Sequence, residues 1–291
     1  MINHVAKLGS VSVGSNNPVR IMGILNTSLE SFYKKSVKTT KQQILNTVKQ
    51  MELDGADFID VGGMSTAPYL STLVSEKIES QRILYAIKII QNSSNLPISI
   101  DTCRADVAKS ALEYGIEIIN DISGLKYDAK MIDVIEEYMP SLVLCAFDSK
   151  RVIGNVQSTK NLLKDSLKIA RTAGISSNRI VLDPAIGFFR KSGKGSFFTK
   201  IKSDWLERDL SIIQNLKSIK MKYPIMISVS NKSFIGKLLG NENVSERLFG
   251  SLAAEVISVL NGADIIRTHN VAQTKDVVTI ATKLSKRHKG L

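Results

Sequence analysis

Gly55-Ala-Asp-Phe-Ile-Asp60 returns, with changes, as Gly115-Ile-Glu-Ile-Ile-Asn120 and Gly262-Ala-Asp-Ile-Ile-Arg267. Each copy reads alike: a glycine where a helix stops, an acidic residue, an apolar strand, and a polar residue at the strand's end. Such repetition fits successive βα units of one barrel rather than two separate domains.

Working outward, short β-type runs alternate with helical segments from end to end. The candidate strands are 20–25, 58–61, 98–100, 116–119, 142–144, 180–182, 225–229 and 264–267. Between them, 41–53 can place Ile44, Leu45, Val48, Met51 and Leu53 on one helical face. Residues 205–219 do the same with Leu206, Leu210, Ile213 and Leu216. Thr39 or Thr40, Asp128 and Ser245 read as helix starts, and Gly55, Gly115, Gly174 and Gly262 as helix ends. Eight strands, each followed by a helix, predict a single (β/α)8 TIM barrel over 1–291 with a basic tail from about 283. The alternative is an open doubly wound sheet. It wants a glycine-rich turn after its first strand, and Gly23 precedes the polar step instead of forming one.

Lys and Arg total 39 against 27 acidic residues, a net charge of +12. The lysines are spread along the chain with few aromatics among them. That argues for solvated helix faces rather than nucleic-acid binding, while the positive field still attracts an anionic substrate. No apolar run approaches the length of a membrane span, and residues 1–14 lack a secretory pattern. Cys103 and Cys145 stand at neither metal nor redox spacing, so buried thiols in a reducing, cytoplasmic setting are expected. Gly193-Lys194-Gly195 has the wrong glycine spacing for a phosphate loop.

In such a barrel the active site lies at the C-terminal ends of the strands. The first three strands end at Asn26, Asp60 and Asp101, and the fourth at Asn120-Asp121. The sixth ends at Asp183, the seventh runs into Ser230-Asn231-Lys232, and the eighth gives Arg267 and His269. Carboxylates and amides thus face Arg, His and Lys across one ring. That set suits a heterocycle rich in N–H donors that carries an anionic leaving group. Asp60 and Asp121 read equally well as helix caps or loop braces. His4 and His288 lie near the termini and are expected to be solvated.

The chain resembles the pterin-binding family and, within it, the dihydropteroate synthases. The matching stretches are Met22-Gly-Ile-Leu-Asn26, Gly55 to Gly63 with Ser65-Thr66 and Pro68, Ser99-Ile-Asp-Thr102 with Arg104, and Ile119-Asn-Asp-Ile122. Asp183-Pro184, Ile186-Gly-Phe188, Ser230 with Lys232-Ser-Phe-Ile-Gly236, and Arg267 with His269 continue them in the family's order. The resemblance implies condensation of 6-hydroxymethyl-dihydropterin pyrophosphate with p-aminobenzoate or a related arylamine, by a homodimer. It assigns Thr66, Asp101, Asn120, Ile122, Asp183, Phe188 and Lys232 to the pterin, with Asp101 and Lys232 catalytic. Asn26, Arg267 and His269 would hold the pyrophosphate, Asn26 beside a Mg2+ ion, and Phe32, Pro68 and Ser230 the second substrate. No protein nucleophile is required.

The departures from the family cluster in two loops and an anion-binding position. The first loop reads Asn26-Thr-Ser-Leu-Glu-Ser-Phe32-Tyr-Lys-Lys35, without the usual Pro and Asp. Met64, Ala67, Tyr69, Phe189-Arg190 and Asn231 replace a usual Glu, Arg, Gly, Gly-Lys and Arg. Lys34, Lys35 or Arg190 could replace some of the missing charge. Two other readings stay open. One is a methyltetrahydropterin–corrinoid methyltransferase, suggested by Ser230-Asn231; the other is a non-catalytic pterin-binding scaffold.

Overall fold

A computed structural model describes residues 5–30, 37–68, 73–241 and 243–285. The chain opens with a small antiparallel hairpin, β1 (Ala6–Leu8) and β2 (Val11–Val13). Eight parallel strands follow: β3 (Arg20–Asn26), β4 (Phe58–Gly62), β5 (Ile98–Asp101), β6 (Ile118–Asp121), β7 (Ser141–Cys145), β8 (Ile180–Asp183), β11 (Met226–Ile227) and β12 (Ile265–Thr268). They pair in the order β11-β12-β3-β4-β5-β6-β7-β8, and one bridge between Leu182 and Ile225 joins the ends of that row. The ring is the expected TIM barrel, and its closure excludes the open sheet. The short pair β9 (Phe189–Arg190) and β10 (Thr199–Lys200) lies outside it.

The acidic residue of the repeated motif has a structural task. Asp57 accepts the backbone N–H of Ile21 at 2.8 Å, and Asp264 accepts that of Ile225 at 2.9 Å. Each carboxylate, standing just before its own strand, thereby clamps the neighbouring strand of the ring. The glycines of the motif adopt positive φ, +85° at Gly55, +81° at Gly115 and +112° at Gly262, which L side chains rarely adopt.

The helices are α1 (Lys41–Leu53), α2 (Glu76–Gln91), α3 (Ala105–Glu113), α4 (Met131–Tyr138), α5 (Val156–Thr172), α6 (Trp205–Gln214), α7 (Leu216–Ile219), α8 (Ser233–Leu239), α9 (Leu248–Leu260) and α10 (Val271–Leu284). Helix α1 matches its predicted span and starts in a capping box between Thr40 and Gln43. Three boundaries differ from expectation. The stretch 205–219 breaks at Asn215, whose side chain bonds back to the Ser211 carbonyl instead of leaving the helix regular. Asp128 does not start α4; its carboxylate accepts the first amide of α3, from Ala105. Ser245 lies in a 3-10 turn capped by Asn243, and α9 begins after it.

Strand parity organises the interior. Met22, Phe58, Ile118, Val143, Val181, Met226 and Ile265 point inward and meet Ala6, Leu8 and Val13 of the hairpin in one buried cluster. The hairpin therefore plugs the N-terminal end of the barrel, a feature with no counterpart among the predicted strands. Ser141 Oγ ties it down by donating to the Lys7 carbonyl at 2.9 Å. Alternate residues such as Ile21, Ile59, Ile100, Ile119 and Leu182 face the helices and form the main core.

Candidate active site

Two residues beyond four of these inward residues, on the same face of each strand, the side chains become polar. Phe58 is followed by Asp60, Ile118 by Asn120, Val181 by Asp183 and Ile265 by Arg267. One further step outward, just past the end of β12, gives His269. These groups form the floor and walls of a cleft whose lining includes Asn26, Thr66, Pro68, Asp101, Asn120, Ile122, Asp183, Phe188, Ser230, Lys232, Arg267 and His269. Every predicted site residue but Phe32 is in that lining; Phe32 lies outside the described residues, as do Tyr33, Lys34, Lys35, Tyr69, His4 and His288. Asp121 has the opposite parity. It accepts the Ser123 and Leu125 amides and braces a loop outside the cleft.

Asp60 lies beneath the cleft and is fully buried. Its Oδ2 accepts Arg267 Nε at 2.6 Å and Asn120 Nδ2 at 3.1 Å. Arg267 Nη2 donates in turn to Asp101 Oδ2 at 2.7 Å. This network decides what the cleft presents. The Asn120 NH2 group donates one of its two N–H groups to Asp60, and its carbonyl oxygen remains as an acceptor. Burial pushes the Asp101 carboxyl up to about 7, with nearby Asp60 adding to the rise and Arg267 opposing it. Burial also works against the Arg267 charge, but Asp60 and Asp101 outweigh it and hold the guanidinium protonated.

The opposite wall comes from β8 and the turn after it. Burial raises the Asp183 carboxyl, and the Ala185 amide, donating at 2.7 Å, favours its charged form. Ala185 sits at φ +58°. The turn is held from behind by Arg208, which donates to the Pro184 and Ala185 carbonyls, and by Asp209, which accepts the Gly187 amide. Both are fully buried and ion-paired at 2.9 Å. Sequence reasoning passed over this pair, which looks like ordinary surface charge on an amphipathic helix. Lys232 lies 4.1 Å from the centre of the Phe188 ring. A Cβ at Gly187 would come within 2.9 Å of its side chain, so the glycine makes room for the lysine. Burial lowers the Lys232 ammonium to about 8, with Arg267 adding to the fall.

His269 differs from expectation. Burial, reinforced by Arg267 and Lys232, lowers its imidazole to about 3, so it is neutral in this site rather than a standing cation. Its Nδ1 lies 3.1 Å from Ser230 Oγ, and that hydroxyl also accepts the His269 backbone N–H. Asn231 does not line the cleft. It sits at φ +59° with its amide donating to Ser251 Oγ and its carbonyl accepting from Arg247. Arg190 is also committed elsewhere: it donates to Ser233 Oγ at 2.6 Å and stacks over the Trp205 ring at 4.2 Å. Ala67 does line the cleft. On the first loop, Glu30 is clasped by Arg82 at 2.8 and 3.0 Å, and that bond holds its carboxyl down to about 2.

A ring of acceptors around a lysine and an arginine, at the open end of a plugged barrel, defines a pocket for an N–H-rich heterocycle bearing an anion. The family model described as pterin binding enzyme matches residues 22–269, and the chain belongs to that family. A dihydropteroate synthase of Clostridium beijerinckii is 37% identical over 270 residues, covering 92% of this chain and 94% of the relative. A dihydropteroate synthase structure from Clostridium difficile, determined with pteroic acid, is 33% identical with a TM-score of 0.80, covering 93% of this chain and 98% of that one. One from Xanthomonas albilineans with 4-aminobenzoic acid is 25% identical with a TM-score of 0.82, covering 98% and 99%.

Proposed function

We propose that the chain joins 6-hydroxymethyl-dihydropterin pyrophosphate to p-aminobenzoate or a related arylamine. It is a transferase of the dihydropteroate synthase type. The observation that carries the reading is the acceptor set of the floor. With its NH2 group bonded to Asp60, Asn120 brings its carbonyl oxygen to the cleft lining, beside the Asp101 and Asp183 carboxylates. Three acceptors in one buried ring match the amino and imino N–H groups of a pterin, and Lys232 donates to its carbonyl side. Phe188 and Ile122 cover its faces.

The reaction breaks the bond between the pterin methylene and the diphosphate oxygen, the electron pair leaving with pyrophosphate. The ring delocalises the resulting cation, the arylamine nitrogen adds to the methylene, and the nitrogen then loses a proton. The protein's part is position, charge and exclusion of water. Arg267 keeps N–H groups beyond its bonds to Asp60 and Asp101 for the anion, and the neutral His269 donates to it or gains a proton beside it. Ser230, Pro68 and Phe32 serve the second substrate.

No group of three or more His, Cys, Asp or Glu among the described residues is arranged to hold a metal. The donor set fits Mg2+ brought by the diphosphate, with Asn26 as its protein ligand, because a hard cation on phosphate oxygens needs few others. When bound, it would neutralise charge on the leaving group. We place the protein in the cytoplasm; no helix among the described residues is long and apolar enough to cross a membrane. A homodimer is supported by the exposed apolar strip of Leu238, Leu239, Phe249, Ile257 and Leu260, with Phe249 82% exposed.

The test is pyrophosphate release from the dihydropterin substrate, measured with and without magnesium and p-aminobenzoate. Dependence on both is expected. Absence of pyrophosphate release with any arylamine, or turnover indifferent to magnesium, would overturn the reading. Transfer of a methyl group to a corrinoid protein drew its support from Ser230-Asn231; Ser230 lines the cleft and Asn231 does not.

A further inference from the structure

Residues 191–198 connect β9 to β10 and form a strap that reaches from Phe188 to Pro68, two residues of the cleft lining. At its base, the Thr199 amide donates to the carbonyl of Phe188, a wall of the pterin pocket, at 2.9 Å. Phe197 and Phe198 anchor it, 3% and 7% exposed, with Phe197 packed 4.9 Å from the Tyr127 ring. At its tip, the Lys194 and Gly195 amides donate to one acceptor, the Pro68 carbonyl, at 2.8 and 3.1 Å. The fit is tight: a Cβ on Gly193 would lie 2.5 Å from that same oxygen and 2.8 Å from the Phe198 ring. The strap thus links the pterin wall to the loop that carries Ala67 and Pro68 into the cleft. Lys194 is exposed there, and none of the ion pairs among the described residues engages it.

We propose that this strap is the outer wall of the second-substrate subsite, with Gly193 positioning the Pro68 loop and Lys194 receiving the carboxylate of an acidic arylamine. The inference rests on the synthase reading above. It follows from the chemistry of the mouth: an aminobenzoate brings a carboxylate to a loop where Ala67 offers no charge and Arg190 is already paired. A lysine whose backbone sits 2.8 Å from the Pro68 oxygen has the side-chain reach to meet it.

The experiment compares wild type with Gly193→Ala, Lys194→Ala and Lys194→Arg, using p-aminobenzoate and its uncharged methyl ester. Lys194→Ala should raise KM for the acid about fivefold, the most an exposed ion pair supplies. It should leave KM for the ester unchanged, and Lys194→Arg should restore the acid. Gly193→Ala should raise KM for both amines. Calorimetry with the bare pterin should show unchanged affinity in all variants, which excludes misfolding as the cause. Unchanged KM values in Lys194→Ala and Gly193→Ala, or equal losses for acid and ester in Lys194→Ala, would overturn the proposal. Wild type that releases no pyrophosphate with either amine would defeat the synthase reading itself, and this proposal with it.

Discussion

Asp60 shows how one buried carboxylate sets the chemistry of residues that meet a ligand. Its charge raises Asp101, whose carboxyl stands at about 7, mainly through burial. Only the ionised form accepts two ring N–H groups, so pterin affinity should climb as pH rises through about 7. In Asp60→Asn the repulsion is gone, and the acid limb should move to lower pH in calorimetric titrations across pH 5–8. A limb that stays in place would show that Asp60 does not act on Asp101. Asp183→Ala should cost about 1.5–3 kcal/mol of pterin binding, the worth of a charge-assisted hydrogen bond. Unchanged affinity in that calorimetric measurement would remove Asp183 from the pterin site. Most of this floor was legible in the sequence, because a polar residue closing an apolar run is conspicuous. The different fates of Asp60 and Asp121 were not. Adjacent parities are equivalent until something marks which face is inside, and here the hairpin does so through Phe58 and Ile118.

Among the elements, the α9–α10 contact buries a carboxylate that serves no ligand. Glu255 is 0% exposed; its Oε2 accepts Thr274 Oγ1 at 2.9 Å, and its Oε1 has no partner among the described residues. Burial raises its carboxyl from 4.5 to about 7. The folded protein then holds a proton that the unfolded chain releases, so this group's contribution to stability declines as pH rises from 4.5 to 7. Glu255→Gln keeps the shape without the ionisation. Thermal unfolding at pH 8 should occur a few degrees higher than in wild type, with the gap closing toward pH 5. Equal melting temperatures at both pH values would contradict this. Such a group is invisible in sequence, where Glu255 reads as an ordinary helical glutamate. The span of helix α1 was readable from its periodicity, although Leu53, expected on the face of Ile44, Val48 and Met51, is exposed. The break at Asn215 was not, since a single side chain bonding to its own helix decides it.

Across the whole molecule, a net charge of +12 surrounds a cleft intended for a diphosphate. The KM for the pyrophosphorylated pterin should therefore rise with ionic strength, whereas binding of the bare pterin should respond little. Equal salt sensitivity for both ligands would make the field irrelevant to capture. Phe249→Glu should shift the protein toward monomer in analytical ultracentrifugation if the apolar strip joins two copies. The closed barrel was plain from the alternating strands and helices, but the shortness of its seventh strand was not: β11 keeps only Met226 and Ile227 of the expected 225–229.

That economy leaves the ring with one poorly stitched seam. Strands β3 and β4 share five paired positions, while β8, at the end of the row, closes onto the β11 side through the Leu182–Ile225 bridge alone. In deuterated water the amides of Leu182 and Ile227 should surrender their protons sooner than those of Ile24 and Ile59. Asp183 stands on one lip of the seam and Ser228 on the other, both within the cleft lining. A ligand that grips the Asp183 side should then slow exchange there most of all, turning the seam into an isotopic record of occupancy.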